Sequence, residues 1–159
     1  MKKKKLSHVD KTGLPAMVDV SEKKITERIA RAQAKVKLTK EIIEVIADDE
    51  LITKKGPVFQ TAILAGIAAA KKTYELIPLC HPLMTEDCQV KISLNKKKVI
   101  IDTMVKVTAK TGAEMEALTA ASVAALTIYD MCKALSHDII IESVQLMAKT
   151  GGKRDFKRG

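Results

Sequence analysis

Apolar positions along the chain fall into segments of different period. Between residues 28 and 38, Ala34, Val36 and Leu38 alternate with Gln33, Lys35 and Lys37. A period of two puts one set of side chains on each face of a strand, so this segment predicts a half-buried strand. The stretch before it, LSHVDKTGLPAMVDVSEK with Gly13 and Pro15, has no sustained period and reads as an irregular arm ending in a short extended piece at residues 17–20. Thr39 ahead of Lys40, Glu41 and the Ile42, Ile43, Ile46 stripe predicts an N-cap and a short helix, stopped by Gly56-Pro57. Residues 58–76, VFQTAILAGIAAAKKTYEL, predict a second helix, with Pro57 in its first turn and Pro78 just past its end.

Further on, residues 88–94 (CQVKISL) and 99–109 (VIIDTMVKVTA) alternate about the polar tip Asn95-Lys96-Lys97-Lys98 and predict a hairpin whose second arm is the longer. An Ala-rich helical pattern runs from Gly112 to Leu135, and DIIIESVQLMAKTGG predicts a last strand. Helices interleaved with antiparallel strands imply a two-layer α+β domain, one helix layer against one sheet face. The small-residue helix surfaces at Ala65, Gly66, Ala68, Ala69 and at Ala120, Ala121, Ala124, Ala125 allow helices to approach closely, within a subunit or between subunits.

Composition narrows the class. A chain of 159 residues with 47% hydrophobic and 30% charged residues fits one soluble globular domain, read here as residues 1–159 with flexible basic tails at about 1–7 and 153–159. The net charge of +9 raises the question of nucleic acid. Lys2, Lys3, Lys4 and Lys5, with Lys153, Arg154, Lys157 and Arg158 offset by Asp155, hold seven of those nine charges at the ends. With no Trp and only Tyr74, Tyr129, Phe59 and Phe156, there is no base-stacking platform, so a body close to charge balance with solvated tails is expected and nucleic acid is not. Cys80, Cys88 and Cys132 form no CxxC pair and follow no signal segment, and apolar stretches are interrupted well before the ~20 residues a membrane helix needs. A reduced, cytoplasmic protein without membrane contact is the expectation.

Several residues offer chemistry. In IPLCHPLM, His81 lies between Pro78 and Pro82, on a connection that proline keeps stiff and non-helical. Glu114 and Glu116 open the long helix, where carboxylates also complement the dipole. On a continuous helix Glu116 and Asp130 lie about 40° apart around the axis, with Lys133 one turn beyond Asp130. An acid and an amine inside an apolar pattern form an ion pair or line a cavity, and desolvation there would lower the lysine pKa. Lys54-Lys55-Gly56-Pro57 and Lys149-Thr150-Gly151-Gly152-Lys153 join lysine to glycine in turns that suit phosphates. Cys80, His81 and Cys88 lack zinc spacing, so no metal site is expected, and adjacent residues on extended chain point apart, which sets aside a Cys80–His81 nucleophile pair.

Taken together, MVDVSEK, KKGPVFQTAILAGI, LIPLCHPLM, KTGAEMEALTAASVAALTIYDMCKA and LMAKTGGKRDF closely resemble the cyclic pyranopterin monophosphate synthase family (molybdenum cofactor biosynthesis protein C), in the family's order from about His8 to Phe156. The resemblance implies a ferredoxin-like subunit, a homohexamer built as a trimer of dimers with active sites at subunit interfaces, and a phosphorus–oxygen lyase. That lyase converts cyclised dihydroguanosine triphosphate to cyclic pyranopterin monophosphate and pyrophosphate. By motif it implies Lys55, Asp130 and Lys133 as catalytic residues, and Leu79, Cys80, His81, Glu114, Met115, Glu116, Lys149 and Arg28 as substrate contacts. No redox cofactor is implied, and magnesium can accompany the triphosphate. Pro57 stands where some relatives carry an acidic residue. Two other readings compete: a basic nucleic-acid-binding module without catalysis, and a different phosphate-handling enzyme on the same scaffold.

Overall fold

Strand β1 (Thr26–Lys37) is the central strand of the principal sheet. In the computed structural model, which describes Val9 and residues 12–159, Ala30, Ala32, Ala34 and Val36 point from it into the core, while Arg31 and Lys37 face outward. The predicted alternation is therefore the observed one. β1 is flanked by β6 (Lys98–Ala109) and β7 (Ile140–Thr150), both antiparallel to it. β5 (Asp87–Asn95) pairs with β6 to complete the order β5-β6-β1-β7, to which β8 (Phe156–Lys157) adds an edge.

The helices α2 (Val58–Ala70) and α4 (Glu114–Cys132) lie in the crossovers β1 to β5 and β6 to β7 and pack on one face of this sheet. The result is the βαββαβ arrangement of a ferredoxin-like two-layer sandwich. No helix among the described residues is long and apolar enough to cross a membrane.

Alanine and glycine set how tightly the layers close. Ala117, Ala120, Ala121 and Ala124 are fully buried on α4, and a Cβ placed on Gly66 of α2 would lie 2.9 Å from the Ala120 carbonyl oxygen. Only a residue without a side chain lets the two helices approach this far. The one polar side chain of β6 in the core, Thr103, is satisfied: its hydroxyl donates to the Ala117 carbonyl at 2.8 Å, tying sheet to helix.

Three expectations change. The short helix after Thr39 ends after one turn, α1 (Lys40–Ile43), and gives way to a small sheet of β2 (Ile46–Ala47), β3 (Glu50–Thr53) and β4 (Gly56–Pro57). The cause is Asp48-Asp49, both at positive φ (49° and 57°), which form the two-residue loop that turns β2 back into β3. The second helix stops at Ala70 and resumes as α3 (Thr73–Leu76), where the buried Thr73 hydroxyl donates to the Ala70 carbonyl at 3.0 Å. Within the segment expected to be a loose tail, 153–159, Phe156 and Lys157 pair with Lys149 and Ala148. The lysine run at residues 2–5 lies outside the described residues.

Candidate active site

A cleft of about 520 Å³ opens where the loop after α3, the start of α4 and the end of β7 meet. The loop contributes Leu79, Cys80 and His81, α4 contributes Glu114, Met115 and Glu116, and β7 contributes Lys149. Seven of the predicted substrate contacts, from three stretches far apart in sequence, thus share one wall. The prolines explain the loop: residues 78–85 form no helix and no ladder, so their side chains are held at the sheet–helix boundary by backbone stiffness.

Charge inside the cleft is arranged in layers. Lys149 Nζ donates to Glu114 Oε1 at 2.7 Å in a half-buried ion pair. Two residues further along α4, Glu116 is 4% exposed. Burial pushes its carboxyl up to about 7; its own backbone amide opposes that shift and the neighbouring Glu114 charge adds to it. A carboxyl poised there can give or take a proton near neutral pH. Burial, with the Glu116 charge, raises the Cys80 thiol above its usual range, so Cys80 is a wall of the cleft and not a thiolate nucleophile.

Arg28 does not reach this cleft. It lines an adjoining recess of about 60 Å³ with Lys149, Gly152 and Lys153, its Nε donating to the Ala109 carbonyl at 3.0 Å. The recess shares Gly112, Glu114 and Lys149 with the main cleft. Its rim is the predicted lysine–glycine turn, and Gly151 there sits at φ +83° with its Cα turned against the Glu27 carbonyl oxygen, where any Cβ would collide. Arg28, Lys149, Lys153 and two glycines, Gly112 and Gly152, therefore line a small extension of the main cleft, in keeping with an anionic group, while the Gly151 amide donates to Asp155 Oδ1 at 3.2 Å.

Lys55, Asp130 and Lys133 stand elsewhere, at the far end of α4. Asp130 is a two-way acceptor: Lys55 Nζ donates to Oδ2 and Lys133 Nζ to Oδ1, each at 2.7 Å. Lys55 also donates to the Asp130 carbonyl at 3.2 Å. Lys133, then Lys55, hold the Asp130 carboxyl down at about 2, and Asp130 in turn raises Lys133. This reverses the sequence expectation of a desolvated lysine with a lowered pKa. The buried stripe near the end of α4 is Ala124, Ala125, Ile128, Met131 and Cys132. Asp130 and Lys133 project from its opposite side, with side chains 53% and 47% exposed.

The two clusters lie on one helix, fourteen residues apart from Glu116 to Asp130, which is about 21 Å along the axis. Between them Leu126 is 58% exposed on α4, and Leu64 on neighbouring α2 is 68% exposed. Within this chain the two clusters stay apart.

Residue reading missed several lining groups: Val18, Val20, Lys23, Leu83 and Thr111. The sequence predicted a short extended piece at residues 17–20 but not its place beside the cleft, where Lys110 Nζ donates to the Ser21 carbonyl at 2.7 Å. The body is close to charge balance in sum but uneven in its distribution. A second groove of about 510 Å³, apart from the predicted site residues, is lined by Lys35, Lys37, Lys96, Lys97 and Lys98. Among the described residues no three His, Cys, Asp or Glu side chains converge as metal ligands would.

The MoaC family profile matches residues 17–152. The chain is similar to Molybdenum cofactor biosynthesis protein 1 of Drosophila melanogaster, 50% identical over 155 residues, which is 96% of this chain and 27% of that protein. The chain thus spans about a quarter of the length of the curated relative it matches.

Proposed function

The chain belongs to the MoaC family, and from that premise we propose that it is a cyclic pyranopterin monophosphate synthase, a lyase acting in molybdenum cofactor synthesis on cyclised dihydroguanosine triphosphate. The observation that carries this reading is the convergence of Leu79, Cys80, His81, Glu114, Met115, Glu116 and Lys149 on one cleft, with a proton-exchanging carboxyl at its base.

The reaction opens the imidazole ring, builds a pyrazine ring and closes a cyclic phosphate. In the last step a ribose oxygen bonds to the α-phosphorus as the α–β anhydride breaks and pyrophosphate leaves. Atoms balance without an oxidant or a reductant. The chain must therefore move protons and hold a departing polyanion. Glu116 suits the first task. Lys149, Arg28 and the turn at Gly151 and Gly152 suit the second, Lys149 exchanging its Glu114 partner for phosphate oxygens when substrate arrives. His81 and Glu114 orient the purine and ribose. Magnesium, if it accompanies the triphosphate, would be brought by the substrate and would offset phosphate charge.

Lys55, Asp130 and Lys133 complete the site from a second copy of the chain. Glu116 and Asp130 are close in angular position on α4, and the point midway between them is Val123. A twofold axis near Val123, with the outer faces of α4 packed antiparallel, sets the cleft of one subunit beside the ion-pair cluster of the other, twice per dimer. Exposed Leu126 and Leu64 supply apolar surface for that contact. In the closed dimer the cluster loses solvent, and Lys55 and Lys133 serve as the acid and base with Asp130 between them. Three such dimers make the expected homohexamer.

The test is direct. Purified protein is mixed with the cyclised dihydroguanosine triphosphate alone, and pyrophosphate and pterin product are followed together. Equal release of both is the expected result; an intact oligomer that releases neither removes this reading.

A further inference from the structure

Glu50 makes three hydrogen bonds that no step of the chemistry uses. From β3, its Oε1 accepts from the Leu51 amide at 2.8 Å and from the Phe59 amide at 2.8 Å, and its Oε2 accepts from the Gln60 amide at 3.1 Å. Phe59 and Gln60 are the second and third residues of α2, whose amides have no acceptor inside the helix. The residue at the cap position is Pro57, which makes no side-chain cap bond. A carboxylate from a strand eight residues before the helix therefore does the work of a missing Ser, Thr or Asp, and its charge complements the helix N-terminus.

The chain between Glu50 and α2 is the β3–β4 hairpin, and Lys55 is at its tip. Two register pairs hold that hairpin, Ile52↔Pro57 and Thr53↔Gly56, too few for stability on its own. The tip is nevertheless shaped locally: the Thr53 hydroxyl donates to the Gly56 carbonyl at 3.3 Å and accepts from the Lys55 amide at 3.1 Å, and Gly56 has φ +107°. Buried Leu51 anchors the base of the hairpin in the core, but an apolar contact fixes depth more than direction. Direction is set where Glu50 holds both ends of the hairpin to one helix end. Lys55 Nζ then reaches Asp130 at 2.7 Å.

We propose that Glu50 is a positioning residue for Lys55, its carboxylate locking the β3–β4 hairpin onto the N-terminus of α2 so that the Lys55 ammonium is delivered to Asp130. The inference rests on the reading of Lys55, Asp130 and Lys133 as part of the catalytic site. A hairpin released by about 1 Å at its tip would cost up to a hundredfold in rate without touching substrate binding elsewhere.

The test uses the full-length oligomer with Glu50→Gln and Glu50→Ala, each shown to be folded by circular dichroism. Two readouts are taken. The first, which needs no substrate, is reaction of lysine amines with a water-soluble acylating reagent, read by mass spectrometry as labelling of Lys55 relative to adjacent Lys54. The second is the separation of kcat from KM. In Glu50→Ala, Lys55 labelling is expected to rise about fivefold, the equivalent of losing an exposed ion pair, with kcat down about tenfold or more and KM little changed. Glu50→Gln, which keeps one acceptor for Phe59 and loses the one for Gln60, falls between and carries the test if the alanine variant does not fold. Unchanged labelling overturns the proposal whatever happens to kcat, because Lys55 then keeps its place without Glu50. If labelling rises but the wild type has no synthase activity, the proposed function fails and the positioning role stands.

Discussion

Glu116 is the residue whose surroundings most change its chemistry. Its carboxyl titrates at about 7 in the folded chain against an ordinary 4.5. Below pH 4.5 it is neutral in both folded and unfolded chains and costs nothing. Between 4.5 and about 7 the unfolded chain releases the proton while the folded chain keeps it, so stability falls as pH rises, and above 7 the loss is complete. The size is on the order of 2–3 kcal/mol. Glu116→Gln, which cannot ionise, is expected to flatten that slope and to be more stable than the wild type at pH 8 while losing turnover. Urea unfolding at pH 5 and pH 8 checks it; equal pH dependence in the two proteins would place the buried charge elsewhere. The pattern at Asp130 is opposite: two ammonium groups stabilise its charge, so its ion pairs persist until the pH falls towards about 2. Sequence placed both acids on one side of one helix but could not rank their burial, because burial depends on which part of α4 faces the sheet. The same limit produced the error at Lys133, whose neighbours in sequence, Met131 and Cys132, are buried while it is not.

At the level of elements, the four long strands of the principal sheet and the two long helices were legible because their periods are long and uninterrupted, whereas the two-residue β8 was not. The hairpin of β5 and β6 turns within the polar tip read from Asn95 to Lys98, with Lys96 at φ 57°. Of residues 40–57, only the helical turn after Thr39 was legible. Their strands are two to four residues long, shorter than any window in which a period can be counted, and the decisive signal is a pair of aspartates in left-handed backbone. Close packing of α2 on α4 was half legible: the small residues were visible, their partner was not. Gly66→Ala decides how much that closeness matters. Alanine gains about 1 kcal/mol of helix propensity, but its Cβ would meet the Ala120 carbonyl oxygen at 2.9 Å and Val90 Cγ2 at 3.2 Å. Backbone on α4 cannot rotate away as a side chain can, so overpacking of about 1–3 kcal/mol prevails. A net loss of about 1 kcal/mol and a lower Tm are expected in thermal unfolding; a rise in Tm would show that the helices separate freely.

For the whole molecule, the motifs signalled every predicted catalytic and binding residue but not that the chain divides them between two places about 21 Å apart along α4. That division makes subunit exchange informative. Glu116→Gln damages the cleft, and Lys133→Ala damages the cluster contributed across the proposed dimer interface. Each homodimer carries two broken sites. In a heterodimer of the two variants, one site gathers both mutations and the other gathers neither, so it is native. Random exchange makes half of the dimers mixed, each with one native site of two, so roughly a quarter of wild-type turnover should return when two inactive preparations are dissociated and reassembled together. Leu126→Arg should prevent the recovery, because it buries a charge in the α4–α4 contact, and should shift the protein towards monomer in light scattering. Recovery without mixing, or none with full exchange shown by mass spectrometry, would mean that the site is not shared between subunits. The ion-pair cluster at the end of α4 would then be a surface feature and not half of a site.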